Sequence, residues 1–322
     1  MLNEELLNIL RKRLVYISGE EISNNLGISR TAIWKHIQEL RSLGYDITAV
    51  PNLGYKLLSI PDRLFPWEIN YTLKNRLIGK NIYYYESLSS TMDKAMDLAL
   101  NKALEGTLVI AEGQTKGRGR MGRYWLSPKY KGIYFSLIIR PKILLQQAPV
   151  FTLISAVAIC DGLKQHLGVE ARIKWPNDIL LQNRKIGGIL TELNAEMDVV
   201  HAIIIGVGIN VNNKKNTLPH HAGSLMEIIG AEISRLSILL SILSCFEDRY
   251  LQFQKHGIER VLDVWRNFSI TLGRRVRLNI GKQRFGLVGE AVDIDRDGSL
   301  LIRQDSGLVK KVTAGDIIHC KQ

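Results

Sequence analysis

The sequence predicts a multidomain α+β protein with an N-terminal winged helix-turn-helix, a central mixed α/β domain and a small C-terminal all-β barrel. Its 322 residues are about twice the length of an average domain, and 46% of them are apolar against 23% charged, which excludes a single small module and a disordered chain. The pattern of apolar residues changes twice along the chain, which places the predicted domains at residues 1–62, 63–269 and 270–322.

The first domain is predicted from helical periodicity followed by a hairpin. The expected elements are a helix with Leu6, Ile9 and Leu10 on one face, two further helices at Glu20–Leu26 and Arg30–Leu43, and strands at 46–50 and 55–58. This order is typical of a winged helix-turn-helix, in which the third helix inserts into the major groove of DNA.

The third helix carries the predicted DNA-binding residues. Ile33, Ile37 and Leu40 share one face, while Arg41 and a set of polar and basic residues lie on the opposite face and in the first turn. The DNA-binding candidates are Ser29, Arg30, Thr31, Trp34, Lys35 and Gln38. Because residues 1–60 have seven basic and six acidic side chains, a helical scaffold or protein-interaction module stays open beside DNA binding.

The central and C-terminal domains are predicted from alternating strand-like and helix-like segments. Central strands are expected at 107–111, 133–139, 172–175, 186–193 and 202–209, with helices at 91–104, 147–167, 235–255 and 258–267. Short runs at 275–279, 285–294, 300–304 and 308–313, separated by glycine-containing turns, are typical of a small β-barrel.

Charge is concentrated in one stretch of the chain. The formal net charge is +12, and Gly113–Cys160 contributes eight basic residues and no acidic one, which points to a local anionic ligand. The apolar stretches fall short of the ~18 residues of a membrane span, and the N-terminus lacks the pattern of a signal peptide. Three separated cysteines fit neither a disulfide framework nor a metal cluster, so a cytoplasmic protein is expected.

Gly117–Gly122 matches the glycine spacing of dinucleotide-binding turns but lacks their context. Ser127 and Pro128 follow instead of a helix, no acidic residue occurs before Asp161, and no P-loop lysine motif is present. Arg118 and Arg120 in this segment, with Arg123 directly after it, can instead bring donors to phosphate or carboxylate oxygens, in a loop that an anion would order. A solvated basic turn or an RNA-binding patch is the alternative.

A second motif lies downstream at Arg172–Asp178 and continues to Gly188. Pro176 ends a strand, and the returning hairpin should bring Lys174, Asp178 and Lys185 close together. Two apparent metal sites are set aside: the loop that starts at Asp293 lacks a glutamate at its twelfth position, and His220–His221 lack a third ligand nearby.

The order of these motifs is more specific than any one of them. It runs from the winged helix through Ser90-Thr91, Gln114 with Gly-Arg-Gly-Arg, Lys-Trp-Pro-Asn-Asp, Arg-Lys-Ile-Gly-Gly and Gly208-Ile209-Asn210 to the small barrel. Over essentially its whole length the chain resembles the bifunctional biotin protein ligase and biotin-operon repressor family.

The resemblance implies a central domain of the biotin/lipoate ligase type that forms biotinoyl-5'-adenylate from biotin and ATP. The biotinoyl group would pass to a lysine of a biotin carboxyl carrier domain of a carboxylase. The adenylate would also act as corepressor, favouring a homodimer that places two winged helices on operator DNA.

The resemblance also implies roles for individual residues. Catalysis would fall to Lys185, Arg118 and Arg120. Biotin would be bound by Ser90, Thr91, Met92, Gln114, Arg118, Gly119, Arg120, Lys185 and Gly188. The nucleotide would be bound by Arg120, Arg123, Trp125, Asn177, Asp178 and Asn210. No protein metal ligand is assigned, and Mg²⁺ is expected to accompany ATP near Asp178.

Two residues depart from the family's pattern. Met92 stands where many relatives have asparagine, and Met121 where another arginine is often found. Three alternatives remain: a non-catalytic biotin-sensing regulator, a lipoate ligase, and a ligase whose winged helix reads no operator. The sequence leaves open the operator, the acceptor, the dimer affinity and the role of the C-terminal barrel.

Overall fold

A computed structural model shows two compact units, residues 1–63 and 64–322. The structure describes residues 2–12, 15–73, 76–197, 199–279 and 286–320. The predicted boundary between residues 269 and 270 lies inside the second unit, and the three-domain division stays a prediction.

The first unit has the element order predicted for a winged helix-turn-helix. Its elements are α1 (Leu2–Lys12), α2 (Gly19–Leu26), α3 (Arg30–Ser42), β1 (Asp46–Val50) and β2 (Gly54–Ser59). Ser29 begins α3 as predicted, because its hydroxyl accepts the Ala32 backbone N–H at 3.2 Å. β1 and β2 pair antiparallel and form the wing.

Two details of this unit differ from the sequence prediction. In α1 the buried residues are Leu6, Leu7 and Leu10, so Leu7 takes the place expected for Ile9. Both positions lie within roughly 60° of the stripe set by Leu6 and Leu10, so periodicity could not separate them. Arg41 does not face outward to DNA, because its guanidinium donates to the Ile47 carbonyl at 2.9 and 2.6 Å and ties α3 to the wing.

The second unit alternates helices with the strands of one large sheet. Its first elements are α4 (Pro66–Thr72), β3 (Ile82–Tyr85), α5 (Thr91–Leu100), β4 (Thr107–Ala111), β5 (Gly132–Ile139), α6 (Val150–Leu167), β6 (Arg172–Lys174), β7 (Asp178–Leu181), β8 (Arg184–Glu196), β9 (Val199–Asn210), α7 (Leu225–Ile229), α8 (Arg235–His256) and α9 (Glu259–Phe268). Helix α5 is shorter than the predicted 91–104, because Lys102 adopts a left-handed backbone conformation with φ 60° that ends the helix. Helix α6 starts at Val150 rather than at the predicted residue 147, after a short 3₁₀ turn at Leu145–Gln147.

The large sheet separates two layers of helices. Its seven strands have the order β3-β4-β5-β9-β8-β7-β6, and all neighbours pair antiparallel except β3 and β4. Helices α6, α8 and α9 cover one face in a single large core. On the other face, Met92, Ala95 and Ala99 of α5 pack against the sheet in a smaller core. The N-terminus of α5 is thereby held beside the ends of β4 and β9.

One segment, Leu145–Leu167, is long and apolar enough to meet the composition of a membrane span, although the sequence analysis found its apolar run too short. In the structure 67% of its most apolar window is buried inside the fold, as in the core helix of a soluble domain.

The C-terminal residues form the predicted small all-β region. Five antiparallel strands, in the order β13-β12-β11-β10-β14, are β10 (Arg275–Asn279), β11 (Val288–Ile294), β12 (Leu300–Arg303), β13 (Val309–Val312) and β14 (Asp316–His319). The sequence pattern missed β14, whose four residues are too few to show alternation. Phe285, the predicted start of the second strand, lies outside the described residues.

Candidate functional site

One cavity of about 690 Å³ in the second unit gathers all the ligand-binding residues predicted for the central domain. Its lining includes Ser90, Thr91, Met92, Gln114, Arg118, Gly119, Arg120, Arg123, Trp125, Asn177, Asp178, Lys185, Gly188 and Asn210. These residues come from α5, from the loops after β4 and β6, and from β7, β8 and β9. The fold therefore assembles the predicted set in one place, and the role of each residue stays a prediction.

A neutral, hydrogen-bonded wall lies at the N-terminus of α5. Ser90 caps the helix, since its hydroxyl accepts the Asp93 N–H at 3.4 Å. The Gln114 carbonyl oxygen accepts two hydrogen bonds from Thr91, from the backbone N–H at 2.8 Å and from the hydroxyl at 3.1 Å. Ser90, Thr91 and Gln114 together are called the neutral wall below.

Met92 adds an apolar surface beside the neutral wall. Its side chain is buried, and its sulfur occupies the space where a Cβ on Gly206 would lie, at 2.4 Å. The placement of this side chain therefore depends on a glycine in the neighbouring strand β9.

The arginine-rich segment, Gly117–Arg123, is a tight loop that contains a single 3₁₀ turn at Arg120–Gly122 and does not open an α-helix. Gly119 N–H donates to the Arg123 carbonyl at 2.7 Å, and Trp125 N–H donates to the Gly117 carbonyl at 2.9 Å. Gly117 has no room for a side chain, because a Cβ would lie 2.4 Å from the Trp125 carbonyl oxygen. The rejection of a dinucleotide-binding turn agrees with this geometry.

Each arginine of the loop contacts a polar or acidic group of the chain. Arg118 lies 2.6 Å from Asp93 and 3.1 Å from Glu192. Arg120 donates to the side-chain oxygen of Asn177 at 3.2 Å, and Arg123 pairs with Asp316 of β14. The loop is thus fastened to α5, to the turn after β6 and to the C-terminal sheet.

Two of these arginines have shifted pKa values in opposite directions. Burial would lower the pKa of Arg118, but the Glu192 and Asp93 carboxylates outweigh it and the net shift is upward. For Arg120 burial lowers the pKa, and the attraction of the nearest carboxylates only partly compensates. Arginine remains cationic in both environments, so Arg120 is a poorly hydrated cation that would gain from a bound anion.

Lys185 lies where the predicted hairpin brings it, next to Asp178. Its ammonium is 2.6 Å from the Asp178 carboxylate and 5.6 Å from the centre of the Trp125 ring. β7 and β8 turn through Gln182 and Asn183, both with positive φ, a geometry typical of tight hairpins. Lys185 is therefore a cation at the cavity wall, held by one exchangeable carboxylate and one aromatic face.

The Trp125 ring packs against two glycines of the large sheet, Gly188 and Gly208. A Cβ on Gly208 would lie 2.3 Å from its indole nitrogen, and a Cβ on Gly188 3.3 Å from the ring. The indole N–H is buried and has no hydrogen-bond partner among the described residues. A ligand acceptor group in the cavity could satisfy this donor.

Several residues that line the cavity are not marked by any motif in the sequence. Asp316 and Ile317 reach it from β14, and the segment 217–222 covers it, where the His221 carbonyl accepts the Lys185 N–H at 3.1 Å. No spacing signal marks these positions, because they approach the cavity through tertiary packing. His220 and His221 lie in a turn, and within the described ranges no group of three or more His, Cys, Asp or Glu side chains is placed to hold a metal ion.

The winged unit offers the predicted DNA-binding residues on one helix. Arg30, Thr31 and Lys35 are exposed at the start of α3, and Gln38 is partly exposed. Trp34 is 53% exposed, an unusual state for a tryptophan of a folded core, while Ile33, Ile37 and Leu40 on the other face are buried. The helix therefore has one packed face and one outward face, as major-groove binding requires.

Comparison with known proteins covers all three predicted regions. Residues 84–210 match the Biotin/lipoate A/B protein ligase family, residues 3–56 match an HTH domain, and residues 271–320 match the Biotin protein ligase C terminal domain. The chain is 44% identical to the Bifunctional ligase/repressor BirA of Bacillus subtilis, over 94% of this chain and 93% of the relative.

The chain belongs to the biotin protein ligase family.

Two further relatives of this family define how far the similarity extends. The Bifunctional ligase/repressor BirA of Escherichia coli is 32% identical over 93% of this chain and 92% of its own length. A solved biotin protein ligase from Aquifex aeolicus, in complex with biotin and ATP, superposes with a TM-score of 0.64 at 29% identity, over 76% of this chain and all of that one. The whole of that chain is matched, whereas about a quarter of this chain has no counterpart in it.

Proposed function

We propose that this chain is an ATP-dependent biotin protein ligase and biotin-operon repressor. It forms biotinoyl-5'-adenylate from biotin and ATP and transfers the biotinoyl group to a lysine of a biotin carboxyl carrier domain. The same adenylate acts as corepressor when the chain binds operator DNA. Near full-length similarity to bifunctional ligase/repressor proteins supports both activities.

The observation that carries the ligase proposal is the meeting of Lys185 with the arginine loop at one cavity. A carboxylate that attacks the α-phosphate of ATP brings two anions together, and charge concentrates on the phosphate as the bond forms. Lys185, Arg118 and Arg120 supply three cations at the wall of that cavity. They lower the barrier by offsetting this charge, so no protein nucleophile is needed.

The two ends of the cavity suit the two substrates. The neutral wall, with Met92, Gly119 and Gly188, supplies hydrogen-bonding groups and a close apolar surface for the ring system of biotin. Arg120, Arg123, Asn177, Asp178 and Asn210 also line the cavity and would hold the nucleotide, with Trp125 against the adenine. Lys185 stands between them and receives the biotin carboxylate, in exchange for its present partner Asp178.

We propose that Mg²⁺ enters with ATP rather than occupying a site built by the protein. Mg²⁺ is typically held by one or two carboxylates together with phosphates and water. Asp178 fits this pattern, because it lines the cavity and becomes available once Lys185 turns to the biotin carboxylate. The ion then supplies further charge neutralisation on the phosphates.

The repressor activity is assigned to the outward face of α3. Arg30, Thr31, Trp34, Lys35 and Gln38 contact the major groove and its backbone, with Ser29 at the N-terminus of the helix against phosphate. A homodimer, promoted by the adenylate, matches two such helices to a two-fold symmetric operator. The cytoplasm, which holds ATP, carboxylase and chromosome, is the proposed compartment.

The ligase proposal is tested with the purified full chain, labelled biotin, Mg-ATP and a biotin carboxyl carrier domain. Label on the carrier and adenylate on the chain are expected. A carrier whose acceptor lysine is replaced by arginine is the control. Adenylate without transfer would favour the alternative function, a biotin-sensing regulator that does not modify a carrier.

The repressor proposal is tested by selecting bound duplexes from a random DNA pool, with and without biotin and ATP. A two-fold symmetric sequence is expected, enriched when both substrates are present. Lys35→Ala should weaken binding to that sequence about tenfold without changing adenylate formation. Selection that yields no sequence in either condition would leave the chain a ligase whose winged unit reads no operator.

A further inference from the structure

A chain of side-chain hydrogen bonds runs behind the neutral wall. The Ser136 hydroxyl donates to Thr91 Oγ1 at 2.9 Å, and the Thr91 hydroxyl donates to Gln114 Oε1 at 3.1 Å. The Gln114 amide nitrogen then donates to Ser127 Oγ at 3.0 Å, and the Ser127 hydroxyl donates to the Trp125 carbonyl at 3.0 Å. Four consecutive bonds thus connect strand β5 with the residue that closes the arginine loop.

The direction of every bond in this chain is fixed by its backbone partners. The Thr91 backbone N–H can only donate, so the Gln114 carbonyl oxygen must face it and the Gln114 amide nitrogen must face Ser127. The Trp125 carbonyl can only accept, so Ser127 directs its proton there and uses a lone pair for Gln114. Exchanging the donor and the acceptor in any one of these hydrogen bonds would leave a buried donor or acceptor without a partner.

The two serines stand outside the cavity, whereas Thr91, Gln114 and Trp125 line it. Ser136 is fully buried and Ser127 is 3% exposed, and the cavity lining contains Thr91 and Gln114 but neither serine. Ser127 also lies at the base of the arginine loop, because a Cβ on Gly117 would come within 2.7 Å of its hydroxyl oxygen. Its hydroxyl therefore contacts both Gln114 of the neutral wall and the base of the arginine loop.

We infer that Ser127 is a positioning residue that couples biotin recognition to the arginine loop. This inference rests on the proposed ligase function. By accepting from Gln114, Ser127 holds the amide in the orientation that the neutral wall requires. By donating to the Trp125 carbonyl, it holds the segment that closes the arginine loop. Ser127 touches neither substrate, so it acts through Gln114 and Trp125.

The test uses Ser127→Ala in the full chain. The KM for biotin should rise about tenfold, because the Gln114 amide loses its buried acceptor. The adenylate should dissociate about threefold faster, because the base of the loop loses its bond to the Trp125 carbonyl. With saturating biotin, kcat for adenylate formation should stay within about twofold of the parent. Ser127→Thr, which restores a hydroxyl, should reverse both changes.

Ser136→Ala is the matched control, since it removes the hydrogen bond at the end of the same series that lies away from the arginine loop. It should raise the KM for biotin about threefold, through the lost donor to Thr91, and leave the dissociation rate of the adenylate at the parent value. Ser127→Cys keeps the side-chain size with a weaker hydrogen-bonding group, and should shift both quantities in the same direction as Ser127→Ala by less.

Two results would overturn the inference while the proposed function stands. One is an active parent beside Ser127 variants whose KM and adenylate dissociation are unchanged and whose melting temperature alone falls. The other is Ser136→Ala releasing adenylate as fast as Ser127→Ala, which would indicate general loosening of the core. A parent chain that forms no adenylate would instead overturn the proposed function, and this inference with it.

Discussion

The two sides of the cavity are organised by different kinds of interaction. The neutral wall of Ser90, Thr91 and Gln114 is held by hydrogen bonds between uncharged groups, most of them buried. The charged side, namely Arg118, Arg120, Arg123 and Lys185, contacts Asp93, Glu192, Asn177, Asp316 and Asp178, and is more exposed to solvent. The hydrogen bonds of the neutral wall are formed before a ligand binds. Most cations of the charged side would have to release a carboxylate partner in order to bind one.

This difference indicates how the site discriminates. A neutral hydrogen-bonding wall cannot adapt without leaving buried groups unpaired, so it suits recognition of one ring system. Ion pairs near solvent contribute only about 0–1 kcal/mol each, so an incoming carboxylate or phosphate can replace the internal partner at low cost. Specificity and charge neutralisation are thereby assigned to separate halves of one cavity.

The largest effect is expected from Lys185→Ala on the charged side. Loss of the cation that we propose meets the biotin carboxylate should lower the rate of adenylate formation by about 10²–10³-fold. Pyrophosphate release from Mg-ATP and biotin measures this rate directly. DNA binding in the absence of biotin should be unchanged.

Lys94→Ala is the matched control for Lys185, because Lys94 pairs with Asp97 on α5 and does not line the cavity. It should retain the parent rate. Normal adenylate formation by Lys185→Ala would show that the charged side does not act through this residue.

A smaller effect is expected from Arg120→Gly. The loop would lose its bond to Asn177 and its buried cation, and the adenylate should dissociate about 10–100-fold faster. Chasing labelled adenylate with unlabelled ligand measures the dissociation rate. Arg123→Gly, which removes an exposed pair with Asp316, is the comparison and should change the rate by less. Equal retention of adenylate by the Arg120 variant and the parent would contradict loop closure.

The third prediction concerns His319 of β14 and the pH dependence of the free energy of unfolding. Burial, with the charges of Lys174 and Arg274, lowers the pKa of His319 to about 4 from its ordinary 6.5. Because the folded pKa is the lower one, the neutral ring contributes stability above pH 6.5 that is lost as pH falls toward 4. The loss should be about 1–2 kcal/mol of unfolding free energy, reduced from the full shift by partial exposure.

His319→Gln should remove this loss, which denaturant unfolding at pH 7 and pH 4.5 would measure. The exposed His256→Gln is the control and should follow the parent curve. If His319→Gln loses as much stability as the parent between pH 7 and pH 4.5, the cationic environment of the cavity does not extend to β14.

The sequence could predict the members of the cavity but not the partners that hold them. The hairpin pattern alone brought Lys185 and Asp178 together, whereas Arg118 and Asn177 were joined to them through the family resemblance that the order of motifs carries. Asp316 and Glu192 could not be placed there, because a carboxylate becomes a partner only when folding brings it close.

The same limit applies to local structure. Periodicity identified most of the helices and strands, but it could not choose between Leu7 and Ile9 in α1 or detect the four residues of β14. Arg41 was placed on the outward face by spacing, whereas its bond to the wing depends on where the chain returns after α3. The choice between Leu7 and Ile9 and the partner of Arg41 both depend on how other segments pack against the helix, which a local rule does not contain.

The smallest expected effect tests the contrast between the two sides most directly. Asp93→Asn removes a carboxylate that competes for Arg118 at 2.6 Å and keeps the side-chain size. If internal partners are given up to the ligand, the variant should bind the adenylate about threefold more tightly, as expected for one exposed ion pair. Asp97→Asn, on the same helix and paired with Lys94, should leave the affinity unchanged. Weaker binding by Asp93→Asn would mean that Asp93 orients Arg118 rather than competing for it, so the charged side would be preorganised like the neutral wall.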